Sequence, residues 1–120
     1  MMKKIRWVGS SKEDLRKMPK PVKAVFGQAL YDAQKGGHHP NAKPLKGFHG
    51  SGVVELIEDY RGNAYRAVYT VRFKDTVYVL HAFMKKSKKG IETPREDKER
   101  IRLRLQAAQK DYEQEKKYSN

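Results

Sequence analysis

Cysteine is absent from this 120-residue chain, which excludes disulfides, thiolate nucleophiles and thiolate-held metals. Long apolar runs are missing as well. No stretch approaches the ~20 residues that a bilayer-spanning helix requires. Met1-Met2-Lys3-Lys4 has the basic character of a signal-peptide start, but no apolar core of sufficient length follows it. The expected location is therefore cytoplasmic, with no membrane partner. Acidic residues are few beside the basic ones, 14 Asp+Glu against 27 Lys+Arg, for a net charge of +13. Such an excess favours nucleic acid, an anionic membrane or an acidic protein as partner and does not by itself choose a fold. Residues 1–36 carry 9 basic and 3 acidic side chains, 37–73 carry 5 and 3, and 74–120 carry 13 and 8. Both ends share the excess, so it is not a detachable basic tail.

The clearest local pattern lies between Asn63 and Phe73. Tyr65, Ala67, Tyr69, Val71 and Phe73 alternate with Arg66, Val68, Thr70 and Arg72, the period of a strand with one face in the core. The tyrosine face is apolar throughout and is expected to pack inward, which leaves Arg66 on an exposed face. An arginine on a rigid strand suits the gripping of phosphate. A second strand, Val77 to Met84, runs into Lys85-Lys86-Ser87-Lys88-Lys89, four lysines in five residues. Together these strands form a patch suited to a polyanion.

The remaining elements follow from spacing. Lys4 to Val8 reads as a first strand. Ser10 or Ser11 can cap a short helix through Met18, which Pro19 and Pro21 interrupt. Val22, Val25, Phe26, Ala29, Leu30 and Ala33 recur at helical spacing up to Gly36-Gly37. The two helices form a hairpin expected to cover one side of the sheet. Residues 36–52 show neither period. Val53 to Glu58 is a strand, and Asp59-Tyr60-Arg61-Gly62-Asn63 turns into the next, giving a three-stranded antiparallel meander. Thr93-Pro94-Arg95-Glu96 combines an N-cap threonine, a proline at the first helical position and a glutamate in the first turn. Ile101, Leu105, Ala108 and Tyr112 supply the stripe of that helix, surrounded by Arg100, Arg102 and Arg104. The polar end from Glu113 is expected to fray. The fold class is thus α+β: an N-terminal strand and helical hairpin on an antiparallel sheet, with a C-terminal helix. One domain spans 1–112, with a polar tail at 113–120.

This order, in a small basic chain, resembles the RelE/ParE toxin superfamily, and within it the phage-derived HigB-like (Gp49-type) branch. The resemblance rests on Lys43-Pro44-Leu45-Lys46-Gly47, on Glu55-Leu56, on Asp59-Tyr60-Arg61-Gly62-Asn63-Ala64-Tyr65-Arg66 with Tyr69, on Leu80-His81-Ala82-Phe83-Met84-Lys85-Lys86, and on the Thr93-Pro94 helix start. It implies a RelE-like fold and the toxin of a type II toxin–antitoxin pair. Such a toxin cuts messenger RNA on the ribosome without metal, and a cognate antitoxin, a helix-turn-helix protein encoded nearby, neutralises it. Two other readings stay open: a ParE-like toxin that binds gyrase without nuclease chemistry, and a phage-borne nucleic-acid-binding protein without catalysis.

Cleavage without metal needs a group to take the 2′-hydroxyl proton, charge to stabilise the phosphorane, and a donor for the leaving 5′-oxygen. The resemblance gives Arg66 the role of stabilising the transition state, and gives Lys85 and Lys86 phosphate binding and proton transfer. The order of importance between those two lysines is left open. His81 has the chemistry of a general acid or base, yet within Val79-Leu80-His81-Ala82-Phe83 the balance tips to a half-buried structural residue. Lys43, Lys46, Arg61, Lys88 and Lys89 are the expected RNA-holding cations. His38, His39 and His49 lack the company a metal site requires, and no cofactor is expected. The chain departs from many relatives in carrying Ile57 where they have a basic strand residue. Tyr112 and Tyr118 are not placed in the site.

Overall fold

The computed structural model describes residues 2–86 and 92–118, Lys86 by its backbone alone. Its order is β1 (Lys4–Trp7), α1 (Ser11–Arg16), α2 (Lys20–Gln34), β2 (Lys43–Pro44), β3 (Val53–Tyr60), β4 (Asn63–Thr70), β5 (Thr76–Lys86) and α3 (Arg95–Tyr118). The strands form one sheet in the order β1-β5-β4-β3-β2. The α+β class, the antiparallel meander β3–β4–β5 and the C-terminal helix are as the sequence predicts.

The sheet is mixed, however. β1 lies parallel to β5, Lys4 opposite Thr76 and Trp7 opposite Val79. Alternation within β1 reveals which of its faces is buried but says nothing about its direction beside a strand about 70 residues away in the chain. The irregular segment also yields two residues to the sheet, Lys43 opposite Glu55 and Pro44 opposite Val54.

Both faces of the sheet are covered, not one. Val22, Phe26 and Ala29 of α2 pack with Leu56, Ala67 and Ala82, and Leu30 and Ala33 pack with Tyr69, Val77 and Val79. On the other face, Ile101 and Ala108 of α3 join Val53, Val68, Tyr78 and Leu80. Strand β4 ends at Thr70, before the predicted limit. Phe73 therefore leaves the tyrosine face and packs edge-on against Tyr78 beneath α3, ring centroids 5.2 Å apart. Burial raises the Tyr69 hydroxyl to about 12, helped by Asp32, so that phenol stays neutral at physiological pH.

Neither serine caps α1 through its side chain. Ser10 Oγ donates to Asp14 (2.7 Å), and Ser11 Oγ, fully buried, donates to the Val79 carbonyl (3.0 Å), stapling the helix to β5. At the other end, α3 continues as helix to Tyr118, past the predicted fraying at Glu113. Glu115 meets Lys4 and Arg6 of β1, Lys116 donates to Asp75 (2.8 Å), and the Tyr78 hydroxyl donates to Asp111 (2.6 Å). These contacts join the C-terminal turns of α3 to β1, to β5 and to Asp75 just before β5. Among the described residues no helix is long and apolar enough to cross a membrane.

Candidate functional site

Arg66 is opposite Ile57 on β3 and Phe83 on β5, and its alternation places it with Val68 on the face covered by α3. The expectation of exposure fails here: Arg66 is 2 % exposed. The period of two is correct, but it cannot say that the second face is also covered. The buried guanidinium is matched by an acid. Its Nη1 meets Glu55 Oε2 at 3.4 Å and donates to Thr93 Oγ1 at 3.3 Å, while the Thr93 hydroxyl donates to the same Glu55 oxygen at 2.5 Å. Thr93 stands two residues before α3, so the hydroxyl expected to cap the helix instead joins the helix entrance to β3 and β4. A buried cation without such partners would be costly.

Glu55 reaches outward as well as inward. With Asn41, Lys43 and Ile57 it lines a small open groove of about 200 Å³ at the β2 edge of the sheet. Ile57, in place of the basic residue of many relatives, forms its apolar wall. Lys85 is opposite Ala64, two positions along β4 from Arg66, and so occupies the same face. Its Nζ donates to the Glu92 carbonyl at 3.4 Å, while the exposed Lys46 reaches the Glu92 carboxylate at 4.0 Å. The structure thus brings Lys43, Lys46 and Lys85 around the Glu55–Arg66–Thr93 network. Arg61, at φ 49° in the β3–β4 turn, lies over the Tyr60 ring at 5.1 Å. The Lys86 side chain, Lys88 and Lys89 lie outside the described residues.

His81 is 3 % exposed. Its Nε2 lies 2.7 Å from Asp97 Oδ1, its Nδ1 lies 3.4 Å from Arg104 Nη1, and its ring stacks on Phe83 with centroids 4.6 Å apart. A guanidinium can only donate, so Nδ1 is the acceptor and the ring proton sits on Nε2, donated to Asp97. Burial pushes the imidazole below its ordinary range, against the opposing pull of Asp97. Both nitrogens are occupied, an arrangement that holds α3 to β5. Arg104 extends it, donating also to the Leu80 carbonyl (2.9 Å) and to Ser10 Oγ (3.1 Å). Tyr112 packs on Phe73 near Asp75 and Lys116, at the far end of α3 from Thr93, and Tyr118 is exposed.

From the sequence, Glu55 has no assigned role in the site and Thr93 only that of a helix cap. The available signal was the identity of Glu55 on the core-facing side of a strand next to the one carrying Arg66, since a buried acid on one strand calls for a base on its neighbour. Thr93 is 27 residues from Arg66 in the chain, and nothing local announces the contact.

The family model described as phage derived protein Gp49-like (DUF891) matches residues 13–106. Among solved structures, a chain in the crystal structure of the toxin-antitoxin complex RelBE2 from Mycobacterium tuberculosis is similar, at 22% identity and a TM-score of 0.45, over 72% of this chain and 95% of that one. No curated protein matches.

Proposed function

Since this chain belongs to the Gp49-like family of phage-derived proteins, we propose that it is the toxin of a type II toxin–antitoxin pair. Its activity in this reading is metal-independent endonucleolytic cleavage of messenger RNA on the ribosome, which stops translation. The observation that carries it is one carboxylate, Glu55, lining an open groove with Lys43 while a buried arginine holds it from behind.

In this mechanism Glu55 takes the 2′-hydroxyl proton. Lys43 and Lys85 face the scissile phosphate, and their charge stabilises the two-fold anionic phosphorane more than the ground-state diester. Lys85 Nζ donates a proton to the leaving 5′-oxygen. Arg66, out of contact with solvent, does not grip the phosphate. It fixes the Glu55 carboxylate and, through Thr93, the entrance to α3. Lys46, Arg61, Lys86, Lys88 and Lys89 add attraction for the RNA backbone, which weakens as salt rises. The partners implied are messenger RNA, the ribosome and a neutralising antitoxin.

The test is to map the 5′ ends of messenger RNA in cells expressing the chain, and in a translating extract, beside a Glu55→Gln variant. New ends within translated codons that Glu55→Gln abolishes support the reading. Growth arrest without new ends overturns the nuclease half of it. That outcome would point to a ParE-like toxin that binds gyrase, which needs no strand arginine at the phosphate.

A further inference from the structure

Strand β5 has a bare flank. On the side away from β4, β1 accompanies it only from Thr76 to Val79. The Val79 carbonyl accepts from Val8 N–H and Ser11 Oγ, and the Leu80 carbonyl accepts from Arg104. From Ala82 to Lys86 the strand continues beside β4 and, among the described residues, no strand lies on its other side. Such an edge offers a row of N–H and C=O groups with which another strand can pair.

A groove of about 520 Å³ opens beside this edge, between the α1–α2 bend and the first turns of α3. Met18, Pro19, Tyr65 and Met84 give it an apolar floor, and Met84 is 46 % exposed. Lys17 and Arg100 stand on its rim. Its two carboxylates are engaged within the protein, Asp14 by Ser10 and Asp97 by His81. Neither Lys17 nor Arg100 forms an ion pair among the described residues.

We propose that this edge and groove bind an extended acidic segment of a partner protein, which adds a strand to β5. Alternate residues of such a strand point to one face, so an apolar side chain lies on Met84 and Tyr65 while carboxylates meet Lys17 and Arg100. Backbone pairing supplies affinity and the groove supplies selectivity, as in other strand-addition complexes. A second copy of this chain is disfavoured by its charge of +13. RNA fits less well, because the carbonyls of the edge repel phosphate. The identity of the partner rests on the toxin reading: the segment belongs to the antitoxin.

The experiment uses the full chain and the protein encoded by the neighbouring gene, with hydrogen exchange read by mass spectrometry. Complex formation protects the amides of residues 82–86. Met84→Glu, and separately Lys17→Glu with Arg100→Glu, weaken the complex by about tenfold or more, with melting temperatures unchanged. Met84→Leu binds as the native chain does. Binding with protection elsewhere, or undiminished binding by Met84→Glu, overturns the assignment and leaves the toxin reading standing. Protection of the same amides by an RNA oligonucleotide alone, or by raising the concentration of this chain alone, also overturns it. If the neighbouring product neither binds nor neutralises the native chain, the toxin reading falls and the assignment with it.

Discussion

Arg66 and Glu55 form an ion pair across adjacent strands at 3.4 Å, with side chains 2% and 11% exposed. Removing one member of such a pair leaves the other charge buried, which costs on the order of 3–5 kcal/mol. Arg66→Ala is therefore expected to lose both cleavage and stability, contrary to the sequence expectation of an intact fold. Arg66→Lys keeps the charge but loses the planar fork and recovers part of each. The apolar pair Arg66→Met with Glu55→Leu is expected to recover the melting temperature and not the cleavage. Thermal melting beside messenger cleavage separates these outcomes; an Arg66→Ala protein that melts like the native chain would show the pair to be dispensable.

Lys85 shares the α3-side face with Arg66, and on that ground it is expected to matter more than its neighbour Lys86. Lys85→Ala is expected to lower cleavage by about a hundredfold or more, the range for loss of one donor to the transition-state charge, with an unchanged melting temperature. Lys86→Ala should have the smaller effect. Single-turnover cleavage of a translated message by both variants measures the difference, and equal losses would remove the facial argument.

The buried His81 makes stability depend on pH. In the unfolded chain the imidazole takes a proton near 6.5, whereas in the folded protein burial holds its affinity for the proton lower. Its contribution is thus fully present above about 6.5 and declines as pH falls below that value toward the folded pKa. Asp97, Arg100 and Arg104 are the charged groups that act on it. Urea midpoints taken from pH 8 down to 5 are expected to fall below about pH 6.5 for the native chain and to fall less there for His81→Gln. Parallel profiles would count against the neutral assignment.

Two glycines of similar backbone conformation should respond differently to alanine. Gly52 has φ 64° and Gly62 has φ 82°, but a Cβ on Gly52 would lie 2.8 Å from the Arg72 amide nitrogen, whereas on Gly62 it would meet open space. Gly62→Ala is expected to cost about 1–2 kcal/mol for the left-handed backbone alone, and Gly52→Ala more than that. Denaturant midpoints for the two variants provide the comparison.

The elements with one strong period were legible in the sequence. The alternation of 63–70, the apolar repeat of 22–33 and the Thr93-Pro94 boundary each find their counterpart in β4, α2 and the start of α3. What was not legible depends on partners distant in the chain. The parallel placement of β1 is decided beside β5. The irregularity in β4–β5 pairing between Val68 and Tyr69 lets Leu80 and His81 both serve the α3 side, which strict alternation forbids. The burial of Arg66 is decided by Glu55 and Thr93, 11 and 27 residues away. The cationic character of the candidate site was readable from Lys43, Lys46 and Lys85; the acid at its centre was not.

The cover that α3 places over Val68, Tyr78 and Leu80 also imposes a timetable. The helix follows the whole sheet in the chain, so during synthesis the meander emerges with one oily face and the Arg66 guanidinium still open to water. Thr93 and Asp97 arrive later and close that face. Until then the nascent chain carries a sticky, positively charged surface beside the ribosome, and the Glu55 carboxylate lacks its Thr93 tether. Closure of that face over Arg66 is thereby coupled to the appearance of α3, the last element of the chain.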